Sequence, residues 1–312
     1  MTPRLSTFAL VLALIGPAFS VGCGSGATET VAVEAPAPKR KDAAEIARNV
    51  VNARIGMMIW PERFHGHATE VRINALNPLR MTLEAAGLDL SRDVHAAFIA
   101  STGVTTSDVA AVILEHKLDN ARVHAVMDMF IAKSEPPGAW IDGAAVESAR
   151  ITVRRQTRVV SIIEPSFLVI LPEPLAGQAS RFVGTGGFPD PDTLDAVVIT
   201  ALDPSRSLAA AGVPRVPATI REAVGRVFLA PDGGVDIAAT GESTDPVQAG
   251  NDASYLTDVI DKATSLNLGF VKIRLFSPVK VRPEGAQVKG DLHLTQAEID
   301  RLLTIADTVM PR

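Results

Sequence analysis

Two stretches of this chain gather the residue types from which metal or acid–base chemistry is built. In Trp60-Pro61-Glu62-Arg63-Phe64-His65-Gly66-His67, two imidazoles stand two positions apart, with Glu62 and Glu70 as nearby carboxylates. Imidazole nitrogen and carboxylate oxygen together suit zinc and related ions. The pair lacks a third ligand at a recognisable spacing, so surface histidines account for it more simply, and no metal or other cofactor is expected. The second stretch carries Asp190, Asp192 and Asp195. It lacks the glycine and closing glutamate of a calcium loop, so Asp190-Pro191-Asp192 reads as a turn joining two halves. Gly184-Thr185-Gly186-Gly187 opens no helix and reads as linker rather than dinucleotide fingerprint. The chain has no Gly-x-Ser-x-Gly elbow, His-Glu-x-x-His pair or Walker sequence. Catalytic groups can also be assembled in space, but these residues point to a non-catalytic protein.

One nucleophilic side chain remains. Cys23 is the only cysteine in 312 residues, and it stands where an apolar leader ends. Met1-Thr2-Pro3-Arg4 opens the leader, residues 5–19 form a mostly apolar stretch, and Ser20-Val21-Gly22 precede the thiol. A positive start, a short apolar stretch and small residues describe an export signal. The stretch is short for a membrane span and is interrupted by Pro17. A single thiol in an exported chain has no internal disulfide partner. Cysteine directly after Gly22 resembles the lipobox of bacterial lipoproteins, over residues 1–23 only. That resemblance implies cleavage before Cys23, acylation of its side chain and membrane anchoring. Ser20 stands where lipoboxes carry leucine, and Ala18-Phe19-Ser20 fits ordinary signal peptidase, which would release a soluble periplasmic or secreted chain starting at Val21.

Residues 24–42 are rich in small residues and proline and have no helical or strand period, as in a flexible tether. The body after it, in a processed chain of about 290 residues, is long enough for one large domain or two ordinary ones. Hydrophobic residues make up 47% but aromatics only 4%, so the core must be built from alanine, valine, leucine and isoleucine. The net charge of −5 lacks the basic bias of nucleic-acid binders.

The elements expected to position these residues form a series written twice. Asn77-Pro78 and Asp203-Pro204 each look like an N-cap followed by proline at the first helical position, and Gly87 and Gly212 look like the stops. Downstream, Ala97-Phe98-Ile99-Ala100 matches Val227-Phe228-Leu229-Ala230, and a second strand follows each, over 108–115 and 235–242. Pro231-Asp232-Gly233-Gly234 is a hairpin turn. Helices should open after Asp119-Asn120 and Asp245-Pro246, with apolar stripes of Val123, Met127, Phe130 and Ile131 in one, and Ala249, Ala253, Leu256, Ile260 and Ala263 in the other. The expected fold is therefore α+β: two tandem, duplicated units of antiparallel sheet, each with helices packed on one face. Their ranges are 43–187 and 188–312.

Alternation of apolar and polar residues predicts strands with one wet face around Lys272 and Arg274 and around Lys289. With Lys280 and Arg282, and with Arg150, Arg154, Arg155 and Arg158 in the first half, they suggest a basic surface. Such a surface suits an anionic envelope component, but solubilising edge charges account for it more simply. The first half alone carries loops 60–67 and 135–143, which hold both tryptophans, Trp60 and Trp140. The candidate binding residues are therefore Trp60, His65, His67, Trp140, Lys272, Arg274, Lys280 and Lys289. The functional expectation is an envelope lipoprotein that binds or scaffolds a partner, anchored in the outer membrane or facing the periplasm, without nucleic acid. Two alternatives are a carrier of apolar ligands lined by Val159, Val160, Ile162, Ile163, Leu168 and Ile170, and a metal-dependent hydrolase built on loop 60–67.

Overall fold

The computed structural model describes residues 40–70, 88–104, 108, 110–153, 156–191, 194–209, 215–268, 271–274 and 277–309. The leader, Cys23, most of the tether, the segment from Asn77 to Gly87, Arg154, Arg155, Asp192, Gly212 and Leu275 lie outside the described residues.

The body opens at Asp42, whose carboxylate accepts from the amides of Ala44 (2.8 Å) and Glu45 (3.4 Å) and so caps α1, Ala43–Val51. β1, Ile55–Ile59, leads into a 3₁₀ turn, Pro61–Phe64. A single-turn helix α2, Leu90–Asp93, runs directly into β2, Val94–Ser101, which pairs with β3, Ala110–His116. α3, Asn120–Lys133, opens close to the expected place, on an Asp119 side-chain cap, and buries Val123, Met127 and Phe130, with Val126 beside them. β4 (Ala139–Trp140), β5 (Ser148–Val153), β6 (Gln156–Ile163) and β7 (Phe167–Pro172) follow, then a 3₁₀ segment, Glu173–Phe182.

The second half begins with β8, Asp195–Leu202, and a one-turn helix α4, Pro204–Ser207. Pro204 takes the first helical position, but Asp203 is not the expected side-chain cap. It sits at φ 50°, and its carboxylate meets Arg54 at 3.1 Å. β9 (Glu222–Leu229) and β10 (Val235–Glu242) form the hairpin foreseen around residues 231–234. There Gly233 adopts φ +83°, and Asp232 Oδ1 accepts from the amide of Gly234 at 2.9 Å. α5, Pro246–Ala263, is capped by Asp245 and buries Ala249 and Ala253, while Ala263 is exposed. β11 (Ser265–Leu268), β12 (Val271–Arg274), β13 (Lys280–Glu284), β14 (Gln287–Leu294) and α6 (Gln296–Val309) complete the chain.

The fold is α+β, as expected, around an antiparallel sheet of 12 strands in the order β13-β14-β10-β9-β8-β1-β2-β3-β7-β6-β5-β4. β11 and β12 form a separate two-stranded ribbon. The two halves meet through β1 and β8, which pair antiparallel from Ile55↔Ala201 to Ile59↔Val197, so hydrogen bonding is continuous across the sheet.

Register fixes which side chains share a face. On one face, Ala96, Phe98, Ala100, Ile113, Ile163, Phe167, Val169 and Leu171 pack under α1 and the 3₁₀ segment, through Ala43, Ala47, Val51, Ala179 and Phe182. On the opposite face, Ala149, Ile151, Val160 and Leu168 pack under α3. The first half thus has helical cover on both faces, not on one, because strands of uninterrupted apolar sequence such as β7 have two faces to bury. In the second half, Ile199, Val235, Ile237, Leu292 and Leu294 pack with Ile260 of α5 and Ile299 and Leu302 of α6. Ala249, Ala253 and Val288 extend that layer. The other face of β9, β10, β14 and β13 carries no helix among the described residues, and its side chains are mostly polar.

Candidate functional site

The two histidines of loop 60–67 do not converge. His65 lies 3.6 Å from Glu70 through Nδ1 and is solvent-exposed. His67 turns away from it, with Nδ1 2.8 Å from Thr69 Oγ1 and Nε2 3.2 Å from the Ala230 carbonyl. One imidazole trims the loop and the other fastens it to the end of β9, because alternate positions of a turn point apart. Trp60 is buried and joins the core under α1. Trp140 lies on the other face, its Nε1 donating to Asp128 at 3.0 Å and its ring 5.8 Å from that of His124. The two tryptophans therefore do not share a surface.

A different cluster does converge beside this loop, on Glu62, His95, Lys117 and Asp190. Glu62 comes from the 3₁₀ turn, where Pro61 fixes the first helical position. His95 occupies a register shift in β2: Val94 pairs with His116 while Ala96 pairs with Glu115. That bulge takes one residue out of the alternation and re-aims its side chain. Lys117 directly follows β3. Asp190 belongs to the strap 187–191, which is tied to the sheet by the Phe188 amide donating to Glu115 Oε2 at 2.7 Å. The Phe188 ring packs 6.3 Å from Phe98 and edge-on at 5.4 Å to Phe167. Gly187 allows this approach, since a Cβ there would stand 2.5 Å from Glu115 Oε1.

Within the cluster, His95 Nδ1 is 3.7 Å from Glu62 Oε1, and His95 Nε2 is 3.6 Å from Asp190 Oδ1. Lys117 Nζ donates to Glu62 Oε2 at 2.5 Å. That hydrogen bond, helped by the charges of Lys117, His95 and Arg63 and opposed by partial burial, holds the Glu62 carboxyl below its ordinary range. Glu62 is thus a fixed carboxylate, suited to orienting an imidazole or holding a cation rather than to giving up a proton near neutrality. Sequence reading had Glu62 and Asp190 in hand but assigned them to different features. His95 was missed, and its one signal is an imidazole interrupting the apolar start of a strand.

The wet face of the second half carries paired charges. Arg282 is hydrogen-bonded to Asp291, and Lys289 meets Glu284 at 2.6 Å while its own side chain is only 10% exposed. His293 lies between Asp236 (Nδ1, 2.8 Å) and Asp232 (Nε2, 3.1 Å). Cross-strand register places Asp291 opposite Lys280, and Gln287 opposite Glu242. Arg282 and Lys289, which stand opposite each other, are thus each offset by a carboxylate on the same face. Lys272 and Arg274 stand on the separate β11–β12 ribbon and do not extend it. In the first half, Arg150 pairs with Glu173 at 2.7 Å. Half-buried Arg158 donates to the Ala110 carbonyl at 3.0 Å and to Gln156 Oε1 at 2.7 Å.

No family model matches the chain, and no curated protein matches it. Among solved structures it is similar to the protein TP0453 in crystal form IV, at 10% identity over 82% of this chain and 95% of that one, with a TM-score of 0.48. For crystal form I of the same protein the values are 11%, 84%, 96% and 0.47. A TM-score below 0.5 at such identity leaves function to be argued from the residues themselves.

Proposed function

We propose that this protein is an exported lipoprotein, held to the envelope membrane by acylated Cys23, whose folded body binds or scaffolds a partner without catalysing a reaction. The observation that carries this reading is the sole cysteine placed directly after Gly22 at the end of an apolar leader. The position of the Asp42 cap supports it, since the body's first helix starts where the tether-like composition ends. A tether of nineteen residues would let that body reach a few nanometres from the bilayer.

The geometry does not favour the two alternatives as the sequence framed them. The residues that would line a carrier cavity are occupied: Ile163 packs in the layer under α1, and Val160 and Leu168 under α3. The histidines that would serve a hydrolase on loop 60–67 point apart. The finer reading of the fold as a duplicated unit rests on pairing order. Outward from the β1–β8 contact, each side has a hairpin, β2–β3 or β9–β10, and then a strand that follows a long helix, β7 after α3 or β14 after α5.

Metabolic labelling with palmitate, comparing the natural chain with Cys23→Ala, tests the anchor. Label on the natural protein and none on the variant is the expected result; an unlabelled natural protein overturns the reading. Crosslinking in intact envelopes followed by pull-down then tests for the partner.

A further inference from the structure

We propose that Glu62, His95 and Asp190 form a weak binding site for a divalent ion of the zinc class, with Lys117 as the built-in competing cation. The proposal goes beyond the lipoprotein reading and does not depend on it. One nitrogen of His95, one oxygen of Glu62 and one oxygen of Asp190 lie within 4.8 Å of one another. Zinc bound to nitrogen and oxygen at about 2.0–2.2 Å holds its donor atoms roughly 3.3 Å apart. The imidazole contacts of 3.7 Å to Glu62 and 3.6 Å to Asp190 run to different nitrogens, so the set as it stands is wider than one ion needs. They use opposite sides of the imidazole, so capture of an ion requires the ring to turn and one carboxylate to follow. Asp190 is the group with room to do so: its side chain is 84% exposed, whereas that of His95 is 19% exposed.

Donor chemistry sets the class of ion. One imidazole with two carboxylates suits zinc and its neighbours in the transition series, whereas calcium takes six to eight oxygens. Lys117 sets the strength. Its ammonium is hydrogen-bonded to Glu62 Oε2, which leaves Oε1 facing His95. It fixes the carboxylate in place, yet its charge opposes a dication a few ångströms away. Removing that charge therefore tightens binding, whereas removing a ligand weakens it.

The test is titration of the folded, full-length protein with Zn²⁺ and with Co²⁺, by calorimetry and by tryptophan emission in a Trp140→Phe background. Trp60, two residues from Glu62, then reports alone. The expected result is saturable binding of one ion with quenching by Co²⁺, weakened about tenfold or more in His95→Ala and Asp190→Asn and tightened several-fold in Lys117→Met. Asp190 is solvent-facing, so its variant keeps the test valid if His95→Ala fails to fold. Absence of saturable binding up to millimolar metal overturns the proposal, as does binding that neither His95→Ala nor Asp190→Asn weakens.

Discussion

The two sides of the β1–β8 seam bury their strands by different means. On the first side both faces of β3, β7 and β6 lie under helical cover, and Phe98, Phe167, Phe182 and Met127 are almost wholly removed from water. On the second side only one face carries helical cover among the described residues, and the other is faced with Lys289–Glu284, Arg282–Asp291 and the Asp232–His293–Asp236 ladder. The same antiparallel scaffold is thus held by apolar packing on both faces in one half, and by apolar packing plus paired charges in the other. The Arg282 and His293 pairs are exposed, and exposed ion pairs contribute little each, so stability should be concentrated in the first half, with the second half more open to local unfolding.

The largest effect that sharpens this contrast is cavity formation. Phe98→Ala should cost about 3–5 kcal/mol in urea unfolding, whereas Phe228→Ala, at a half-buried place on the open face, should cost clearly less. Equal losses would break the comparison. Next comes a deeply buried carboxylate that pins the second half, Asp252. Asp252 on α5 accepts from Thr219 (2.8 Å), Gln248 (2.8 Å) and Ser243, joining a loop, the helix and the end of β10. Asp252→Ala leaves those donors unpaired and should cost about 2–3 kcal/mol, with Asp252→Asn milder.

Two histidines should give the halves opposite responses to pH. His116, on the first side, is 6% exposed, and burial pushes its pKa below the ordinary histidine range, against a smaller pull from the Leu118 backbone. Its contribution is complete above an unfolded pKa of about 6.5 and is lost as pH falls below it. His116→Phe should therefore flatten the acid limb of the stability profile. His293, on the second side, is raised, first by its hydrogen bond to Asp236 and then by the charges of Asp232 and Asp236, despite slight burial. Its contribution is complete below about pH 6.5 and is lost as pH rises through the raised folded value, so His293→Ala should flatten the neutral limb. The smallest effect is expected for Arg282→Ala, under about 1 kcal/mol and fading in added salt.

What could be read from sequence was local. Asp119 and Asp245 as helix caps, and the turn at 231–234, follow from side chains that bond amides two or three residues away. The alternation in β14 was equally legible, because its period is two. The assembled features were not. Whether a lysine on a wet face is part of a basic patch depends on what stands on the neighbouring strand, and only register places Asp291 opposite Lys280 and beside Arg282. His95 meets Glu62 and Asp190 because of a bulge, a proline-started 3₁₀ turn and an aromatic-anchored strap, which lie in three distant segments. The second cover of the first half was hidden for the same reason: the amphipathic stretch of α1 comes before every described strand, and nothing local says which face it will lie on.

The central claim concerns the residue at which the processed chain begins. Intact-mass measurement of the protein extracted from membranes in detergent reads that residue and its modification together. The expected species starts at Cys23 and carries the added mass of acyl chains, which disappears in Cys23→Ala. A chain that starts at Val21 with an unmodified thiol, recovered in the soluble fraction, would contradict it.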